Sequence, residues 1–338
     1  MPECGSQCWL CDFPIRIDTY KGCSHDCKYC FAKAKRDIAN IELGESPESI
    51  YDFIKGKRTG TTEWCDWNIP LHFGGMSDPL QPIEKKYRRT YEVLKILAET
   101  KYPVIISTKG ILAIDDEYLE LLRNCNVVMQ ISAVCSQYDR IELGAPKFED
   151  RLKMISVLAE NVQRVNVRIQ PYMREVRADV LKNISRFAEA GAYGVILEGM
   201  KFKKKKAGLV KVAGDFCYPT EDLRSDFKVI KAEAHNCGLV FYSGENRLRT
   251  MGDSLSCCGA DGIEGFKPNV FNLNHIANGD LTTATPKMKE DGTGAHAFHA
   301  CYQAAGEFAN HKNDSFEKSM LMYLKDHKKI VQETFGLD

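Results

Sequence analysis

Residues 20–33 read Tyr-Lys-Gly-Cys-Ser-His-Asp-Cys-Lys-Tyr-Cys-Phe-Ala-Lys and contain Cys23, Cys27 and Cys30 in a C-x3-C-x2-C array. Residues 13–19 precede the array and alternate apolar with polar side chains, which predicts a strand. Cysteine thiolates hold iron–sulfur clusters, and a cubane needs four ligands. Three closely spaced cysteines with no neighbouring fourth therefore predict a [4Fe–4S] cluster in which one iron keeps an open position.

A zinc knuckle and a disulfide pair are the other interpretations of this array. Zinc sites usually contain two Cys or His pairs separated by a dozen or more residues. The array has a single group of three cysteines, directly after a predicted strand. The spacing and the strand-then-loop context favour the iron–sulfur cluster.

The same run, including Tyr29 before the third cysteine, resembles the radical S-adenosylmethionine (radical SAM) superfamily. The resemblance implies that the open iron binds the amino and carboxylate groups of SAM. It also implies that the reduced cluster cleaves SAM to methionine and a 5′-deoxyadenosyl radical, which abstracts hydrogen from a substrate. Five further segments resemble the spore photoproduct lyase branch, at residues 77–84, 107–109, 142–146, 149–152 and 168–171. The similarity covers about residues 13–200 and does not extend to the DNA-lesion substrate.

Strand and helix patterns alternate along the chain from residue 13 to residue 243, which predicts parallel β/α units. The expected fold is α/β: a partial (β/α)6-type TIM barrel of the radical SAM type, with a C-terminal helical extension. Ligands bind at the carboxyl ends of the strands in such barrels. We divide the chain into a Cys-rich segment (1–12), the partial barrel (13–243) and a capping or substrate region (244–338).

Composition limits the class of protein and its compartment. The chain has 338 residues with 46 Lys+Arg and 46 Asp+Glu, so its formal net charge is zero and no global basic field is available to bind nucleic acid. Fourteen cysteines indicate reduced thiols and metal clusters rather than a disulfide scaffold. The first residues do not resemble a signal peptide, and no apolar run approaches a membrane span. We expect a cytoplasmic protein without a membrane partner.

A second C-x3-C-x2-C array is formed by Cys4, Cys8 and Cys11. It allows two interpretations: ligands of a second iron–sulfur cluster, or incidental thiols of an untied terminus. Later cysteines, among them the adjacent Cys257 and Cys258, would complete such a cluster or else be buried inert thiols. Adjacent cysteines do not comfortably bind the same cluster, so one of that pair would be a ligand and the other its neighbour.

The predicted cofactor and catalytic residues lie mainly at strand ends. Glycines directly after a strand let the backbone approach a ligand closely. Radical SAM proteins have a Gly-Gly-Glu-like segment after the second strand; here Met76 replaces the glutamate, so Ser77 and Asp78 are the polar candidates. The predicted SAM-binding residues are Tyr29 (beside the adenine), Gly74, Gly75, Ser77, Asp78, Thr108, Ser132 and Arg168. Cys135 is the candidate hydrogen-atom donor to a substrate radical.

The substrate class follows from the resemblance and from one basic run. Lys201-Phe-Lys-Lys-Lys-Lys206 could bind phosphates, although a solvated loop is the commoner meaning of such a run. A nucleic acid or nucleotide is therefore the leading substrate, with a peptide or protein as the second. A non-enzymatic iron–sulfur or zinc protein that binds nucleic acid is the third alternative. The enzyme would need an electron donor such as flavodoxin or ferredoxin.

Overall fold

Parallel strands and helices alternate through most of the chain. The computed structural model describes residues 1–4, 11–34, 36–59, 62, 69–212 and 215–268. The helices are α1 (Pro47–Ile54), α2 (Glu84–Tyr87), α3 (Arg89–Thr100), α4 (Asp116–Arg123), α5 (Phe148–Ala159), α6 (Arg177–Glu189) and α7 (Thr220–Asn236). The sequence pattern also predicts a helix at 315–333, which lies outside the described residues, as do His275, His296, His299 and Cys301.

One sheet of eight strands dominates the described residues. In spatial order its strands are β1 (Glu3–Cys4), β2 (Ile15–Ile17), β5 (Leu71–Phe73), β6 (Val104–Thr108), β7 (Val127–Ser132), β8 (Arg164–Tyr172), β9 (Gly194–Gly199) and β12 (Val240–Ser243). All neighbours pair in parallel except β1, which is antiparallel to β2. Two small hairpins pair β3 (Tyr20–Lys21) with β4 (Glu42–Leu43), and β10 (Val210–Val212) with β11 (Asp215–Cys217). The partial barrel is confirmed, with seven parallel strands, and the described strands do not close it.

Alternation along the strands separates an apolar outer face from a largely polar inner face. Successive strand residues point to opposite sides of a sheet. Val104, Ile106, Val127, Met129 and Ile131 belong to the buried core between the sheet and the helices. The polar residues of the inner face are His72, Ser107, Gln130, Asn166 and Arg168. The helices therefore cover one side of the sheet and leave a polar lining on the other.

Residues 84–100 form two helices, not the single helix that their periodicity predicts. Arg88 adopts a left-handed conformation with φ of 50° between α2 and α3. The carboxylate of buried Glu84 accepts hydrogen bonds from the backbone N–H groups of Thr90 (3.0 Å) and Tyr91 (2.8 Å). These N–H groups lack partners within the helix, so the Glu84 side chain caps the start of α3.

The helix predicted at about residues 31–40 is reduced to a 3-10 helix at Phe31–Ala34. The backbone after it turns back, because Ile38 accepts a hydrogen bond from Cys23 and β4 pairs with β3. In contrast, α7 was not predicted, although its buried Leu223, Phe227, Ile230 and Ala234 recur at helical spacing.

Residues 251–268, which we call the interior segment, pack against the inner face of the sheet. Near its start, the Cys258 carbonyl accepts a hydrogen bond from Gln130 (2.7 Å). Near its end, Phe266 packs edge-on against Phe13, and the Glu264 carbonyl accepts a bond from Asn126, just before β7. The segment thus fills the amino-terminal half of the interior and does not cap the carboxyl-terminal mouth. Of the region proposed as a cap, residues 269–338 lie outside the described part of the chain.

Candidate functional site

The cysteine loop, residues 22–30, follows β2 at the carboxyl end of the parallel sheet. One side of the loop is fixed by the backbone of Ile38, which accepts from Cys23 N–H (2.8 Å). Gln81 fixes the same side through two bonds: its Oε1 accepts from Ser24 N–H (2.8 Å), and its Nε2 donates to the Gly22 carbonyl (3.1 Å).

The other side of the loop is held by residues 141–144. Lys28 N–H donates to the Ile141 carbonyl (2.8 Å), and Gly144 N–H donates to the His25 carbonyl (2.9 Å). A Cβ at position 144 would collide with the Ser24 carbonyl. Glycine is therefore required there by the close approach of two backbones.

A buried network lies beneath the loop. The Tyr29 hydroxyl donates to Glu142, and Arg151 donates to Glu142 Oε2 (2.6 Å) and to the Ser132 carbonyl (2.7 Å). Arg151 is 1% exposed and Glu142 2%, so each charge depends on the other for compensation. Burial raises the pKa of Tyr29 well above its usual value, and Glu142 adds to this effect, so the hydroxyl stays a donor.

The three thiols of the loop lie in a partly buried environment beside the Lys109 ammonium. Cys27 is buried, while Cys23 and Cys30 are half-buried. Burial raises the pKa of Cys23 to about 12 and also raises that of Cys27, while the Lys109 ammonium opposes both shifts. Cluster binding needs thiolates and so must release these protons. Lys109, 3.9 Å from Glu142, supplies positive charge beside the developing thiolates.

The glycine-rich loop after β5 is fastened to neighbouring strands. Gly74 has φ of 84° and packs against the Ser107 carbonyl, where a Cβ would collide. Asp18, directly after β2, accepts from the N–H groups of Met76 and Ser77, both at 3.0 Å. The loop therefore lies directly beside the start of the cysteine loop.

Asp78 joins three chain segments at the carboxyl end of the sheet. Its carboxylate accepts from Leu80 N–H (2.9 Å), the Thr108 hydroxyl (2.6 Å) and Lys109 N–H (2.7 Å), and lies 3.1 Å from His25 Nε2. Burial alone would raise the pKa of Asp78, but His25 and these hydrogen bonds outweigh burial and hold that pKa at about 2. Asp78 thus ties the loop after β5 to the end of β6 and to the cysteine loop.

A band of polar side chains crosses the inner face of the sheet, on the amino-terminal side of the contacts made by Asp78. His72 Nε2 and Ser107 Oγ are 2.8 Å apart, and Ser107 Oγ donates to Gln130 Oε1 (2.6 Å). Arg168 donates to Ser107 Oγ (2.8 Å) and also bonds Gln170. Burial lowers the pKa of His72 well below its usual value, and nearby arginines lower it further, so its imidazole is neutral. The band offers hydrogen-bonding groups to a polar ligand held inside the sheet.

The predicted site residues fall into three groups. Cys23, Cys27, Cys30, Tyr29, Gly74, Gly75, Ser77, Asp78, Thr108 and Ser132 all lie at the carboxyl end of the sheet, with Arg168 on the inner face beside them. Cys135 is 1% exposed and packs in the core between the sheet and the helices, away from the polar band. Cys11 is inside the sheet; Cys8 lies outside the described residues, and Cys4 is described only as part of β1.

Several residues that build the site were not among the predicted site residues: Asp18, His25, Gln81, Lys109, Glu142 and Arg151. Gln81, Glu142 and Arg151 belong to segments quoted above for their resemblance to spore photoproduct lyase. The structure gives the physical reason for that resemblance, because these side chains support the cysteine loop. Asp18 gave no sequence signal, since a lone aspartate after a strand is common.

No protein-family model matches the chain. An uncharacterized protein of Mycobacterium tuberculosis is 24% identical over 216 residues, which are 58% of this chain and 61% of that protein. An uncharacterized protein of Methanocaldococcus jannaschii is 25% identical over 150 residues, 43% of this chain and 55% of that protein. The matched part of the chain thus spans less than two thirds of the length of these relatives.

Solved structures share the fold. A mutant spore photoproduct lyase with bound AdoMet and dinucleoside spore photoproduct superimposes with a TM-score of 0.55, at 14% identity, over 68% of this chain and 76% of that chain. Streptococcus suis SuiB bound to precursor peptide SuiA gives 0.52, at 14% identity, over 71% of this chain and 51% of that chain. Both are radical SAM enzymes. The sequence resemblance to the spore photoproduct lyase branch of that superfamily is therefore confirmed at the level of the fold.

No helix among the described residues has the length and apolar character needed to cross a membrane.

Proposed function

We propose that the protein is a radical SAM enzyme whose cluster is held by Cys23, Cys27 and Cys30. The observation that carries the proposal is the cysteine loop itself, which is fixed from both sides at the carboxyl end of a parallel sheet. Ligands of such folds bind at that end. Cys23, Cys27 and Cys30 would hold the cluster, which would supply one-electron reductive cleavage of SAM and so hydrogen abstraction from a substrate.

The chain's own residues would bind and orient SAM. We propose Gly74, Gly75, Ser132 and Arg168 as direct contacts and Tyr29 as the neighbour of the adenine. Ser77, Asp78 and Thr108 already bond protein groups, which supports a contribution through the shape of the loop. Cys135 stays our predicted hydrogen donor, although its burial in the outer core does not favour that role.

A nucleic acid or nucleotide is our leading substrate class. It is supported by the dinucleoside bound in the structurally similar lyase and by a run of exposed lysines at Lys203–Lys206, between β9 and β10. The precursor peptide bound to SuiB supports a peptide substrate as the second candidate. We further propose a cytoplasmic location and an electron donor such as flavodoxin or ferredoxin.

Anaerobic reconstitution tests the central proposal. Protein loaded with iron and sulfide and treated with a strong reductant should release 5′-deoxyadenosine from SAM. The triple substitution Cys23→Ala, Cys27→Ala, Cys30→Ala should abolish this release. A matched triple substitution of Cys125, Cys217 and Cys237 by Ala controls for the loss of three thiols. Undiminished release from the first triple variant would sink the assignment, and so would a wild-type protein that never cleaves SAM, which would favour the non-enzymatic alternative.

The substrate class is tested through salt dependence. Phosphate contacts make affinity fall steeply with salt. Replacing Lys203, Lys204, Lys205 and Lys206 by Ser should flatten the salt dependence of oligonucleotide binding and leave SAM cleavage intact. The control replaces four exposed lysines elsewhere: Lys57, Lys85, Lys95 and Lys228. If the affinity for an oligonucleotide depends equally on salt in both variants, the main argument for a nucleic-acid substrate is lost. The peptide substrate would then lead.

A further inference from the structure

The cysteine loop has a buried side and an exposed side. Cys27 and Glu142 oppose each other in an antiparallel bridge between the loop and residues 141–144, and both side chains are buried. Because side chains alternate along extended backbone, the neighbours of these two residues project to the opposite side. Lys28 and Leu143 are accordingly exposed. One layer of backbone therefore separates the Cys27 thiol from an exposed outer surface.

Large apolar side chains project beside the loop. Among the described residues, Phe31 and Leu143 are the two most exposed large apolar side chains, at 57% and 56%. Phe31 directly follows Cys30. Leu143 is fixed against the loop, because Gly144 N–H donates to the His25 carbonyl (2.9 Å). Apolar side chains exposed singly are common on proteins, but two of them next to the same loop indicate a contact surface.

The exposed charges around these side chains are mostly positive. Over residues 21–34 and 140–147, the exposed charged side chains are five basic ones and one acidic one. They are Lys21, Lys28, Lys33, Arg140, Lys147 and Asp26. The acidic one, Asp26, is itself paired with Lys33 at 2.6 Å. The whole chain has 46 basic and 46 acidic residues, so this excess is local and favours an acidic partner.

We propose that a donor face, formed by Lys28, Phe31, Arg140, Leu143 and Lys147, docks an acidic protein that carries single electrons. The inference rests on the proposed function, since the electron needs a redox centre in the cysteine loop as its destination. The carrier is oxidised by one electron and that centre is reduced by one, with no transfer of atoms. Electron-transfer partners bury small interfaces, below about 1,200 Å², which suits two apolar side chains with a basic rim.

A nucleic acid would also be attracted by this charge. Two features favour the protein carrier. Aliphatic Leu143 offers no aromatic surface on which a base would stack. The donor face also lies behind the Cys27 thiol, where an electron crosses a single layer of backbone. A carrier bound there leaves the opposite side of the loop, where we propose that SAM binds, uncovered.

Binding is measured with full-length, cluster-loaded protein and oxidised flavodoxin, by calorimetric titration over a series of salt concentrations. The charge-reversed variant Lys28→Glu, Arg140→Glu, Lys147→Glu should bind flavodoxin roughly tenfold more weakly, because it loses electrostatic attraction. Its affinity should also depend less on salt. Wild-type protein that does not bind flavodoxin would overturn the proposal.

Matched variants control for charge and for apolar surface. Lys95→Glu, Lys182→Glu, Lys228→Glu reverses three exposed lysines of α3, α6 and α7 and should bind flavodoxin as the wild type does. Leu143→Ser should weaken binding without changing its salt dependence, whereas Val229→Ser, at a residue 45% exposed on α7, should have no effect. Equal affinities for the two charge-reversed variants would contradict the donor face.

SAM cleavage distinguishes failure of this inference from failure of the proposed function. Dithionite is a small reductant that needs no docking surface, so the variant reversed at Lys28, Arg140 and Lys147 should release 5′-deoxyadenosine at the wild-type rate with it. With limiting reduced flavodoxin, release should fall roughly tenfold. Wild-type protein that cleaves no SAM with dithionite would contradict the proposed function. Cleavage that dithionite drives and flavodoxin cannot drive would overturn the docking inference alone.

Two further results would also count against the donor face. An equal loss of cleavage with dithionite in the charge-reversed variant would mean that these side chains support the loop itself. A variant that keeps its affinity for flavodoxin but loses affinity for an oligonucleotide would identify the surface as a nucleic-acid contact.

Discussion

Asp78 combines four polar contacts at the carboxyl end of the sheet with a pKa that is lowered to about 2. Its usual value is 3.8, so the native state prefers the carboxylate and Asp78 stabilises the fold above about pH 4. That stabilisation is about 2 kcal/mol and is lost as the pH falls from 4 towards 2.

We expect Asp78→Asn to lower the free energy of unfolding at pH 7 and to flatten its decline between about pH 4 and 2. Urea unfolding of metal-free protein across this range measures both quantities. The control is Asp52→Asn, since the Asp52 side chain is 48% exposed and pairs with the exposed Lys57. If the free energy of unfolding declines as steeply below about pH 4 in Asp78→Asn as in the wild type, the role given to Asp78 is contradicted.

Glu142 and Arg151 are expected to depend on each other. Removing one partner of a buried ion pair leaves an uncompensated charge and costs about 3–5 kcal/mol. Arg151→Met should therefore destabilise the protein strongly, and Glu142→Gln combined with it should restore part of the loss. A double-mutant cycle of unfolding free energies measures this coupling.

The same substitutions report on the cysteine loop. Because Glu142 also accepts from Tyr29, Arg151→Met should reduce iron loading as well as stability. The matched control is Arg186→Met, whose partner Glu149 is exposed. Additive effects of Glu142→Gln and Arg151→Met would show that the two side chains act separately.

At the scale of elements, two glycines of the interior segment allow a test of how that segment packs on the sheet. Gly259 and Gly262 both have positive φ, so alanine strains either backbone by about 1–2 kcal/mol. Only Gly259 also faces Asn166 and Tyr242, whereas a Cβ at Gly262 meets open space. Gly259→Ala should therefore cost about 1–3 kcal/mol more than Gly262→Ala. Thermal and urea unfolding of the two variants would test this, and equal losses would mean that the segment is not packed on the sheet.

Local patterns predicted the elements that depend on local forces. The buried strands β6 to β9 and the helices α4 to α6 follow from apolar periodicity, and β7 is predicted to the residue. The break at Arg88 was not predictable, because it depends on Glu84 reaching across to the next helix. The position of the interior segment was not predictable either, because it depends on Gln130, Asn166 and Phe13, which are distant in sequence.

The candidate site likewise contains features that a local sequence pattern predicts and features that depend on residues distant in sequence. The cysteine array is a local motif, and its three proposed ligands could be named from sequence alone. The bonds from Asp18 to the loop after β5, and the buried pair of Glu142 and Arg151 beneath the cysteine loop, join separate chain segments, so spacing along the chain contains no signal for them. The contact between Cys258 and His72 likewise arises only when the sheet brings both chain segments to its inner face.

At the scale of the whole molecule, charge balance governs solubility. The formal net charge is zero and the isoelectric point is about 7.0. Proteins near zero net charge associate more readily. We expect light scattering at low salt to be greatest near pH 7 and to fall on either side.

Replacing Lys203, Lys204, Lys205 and Lys206 by Ser leaves 42 basic residues against 46 acidic ones, a net charge of −4. The scattering maximum of that variant should move to lower pH. A maximum that stays in place would mean that local patches, rather than net charge, control association.

The position of the interior segment also sets an order for biosynthesis. The last described strand of the sheet ends at Ser243, and the chain must extend to residue 268 before the interior segment can pack on the sheet. At roughly 5–20 residues per second, this interval lasts about one to five seconds on a translating ribosome. Throughout it, His72, Gln130 and Asn166 lack the contacts that Cys258 and Gly259 give them in the folded protein. The nascent chain therefore places Cys258 beside His72 only after all the described strands have been synthesised.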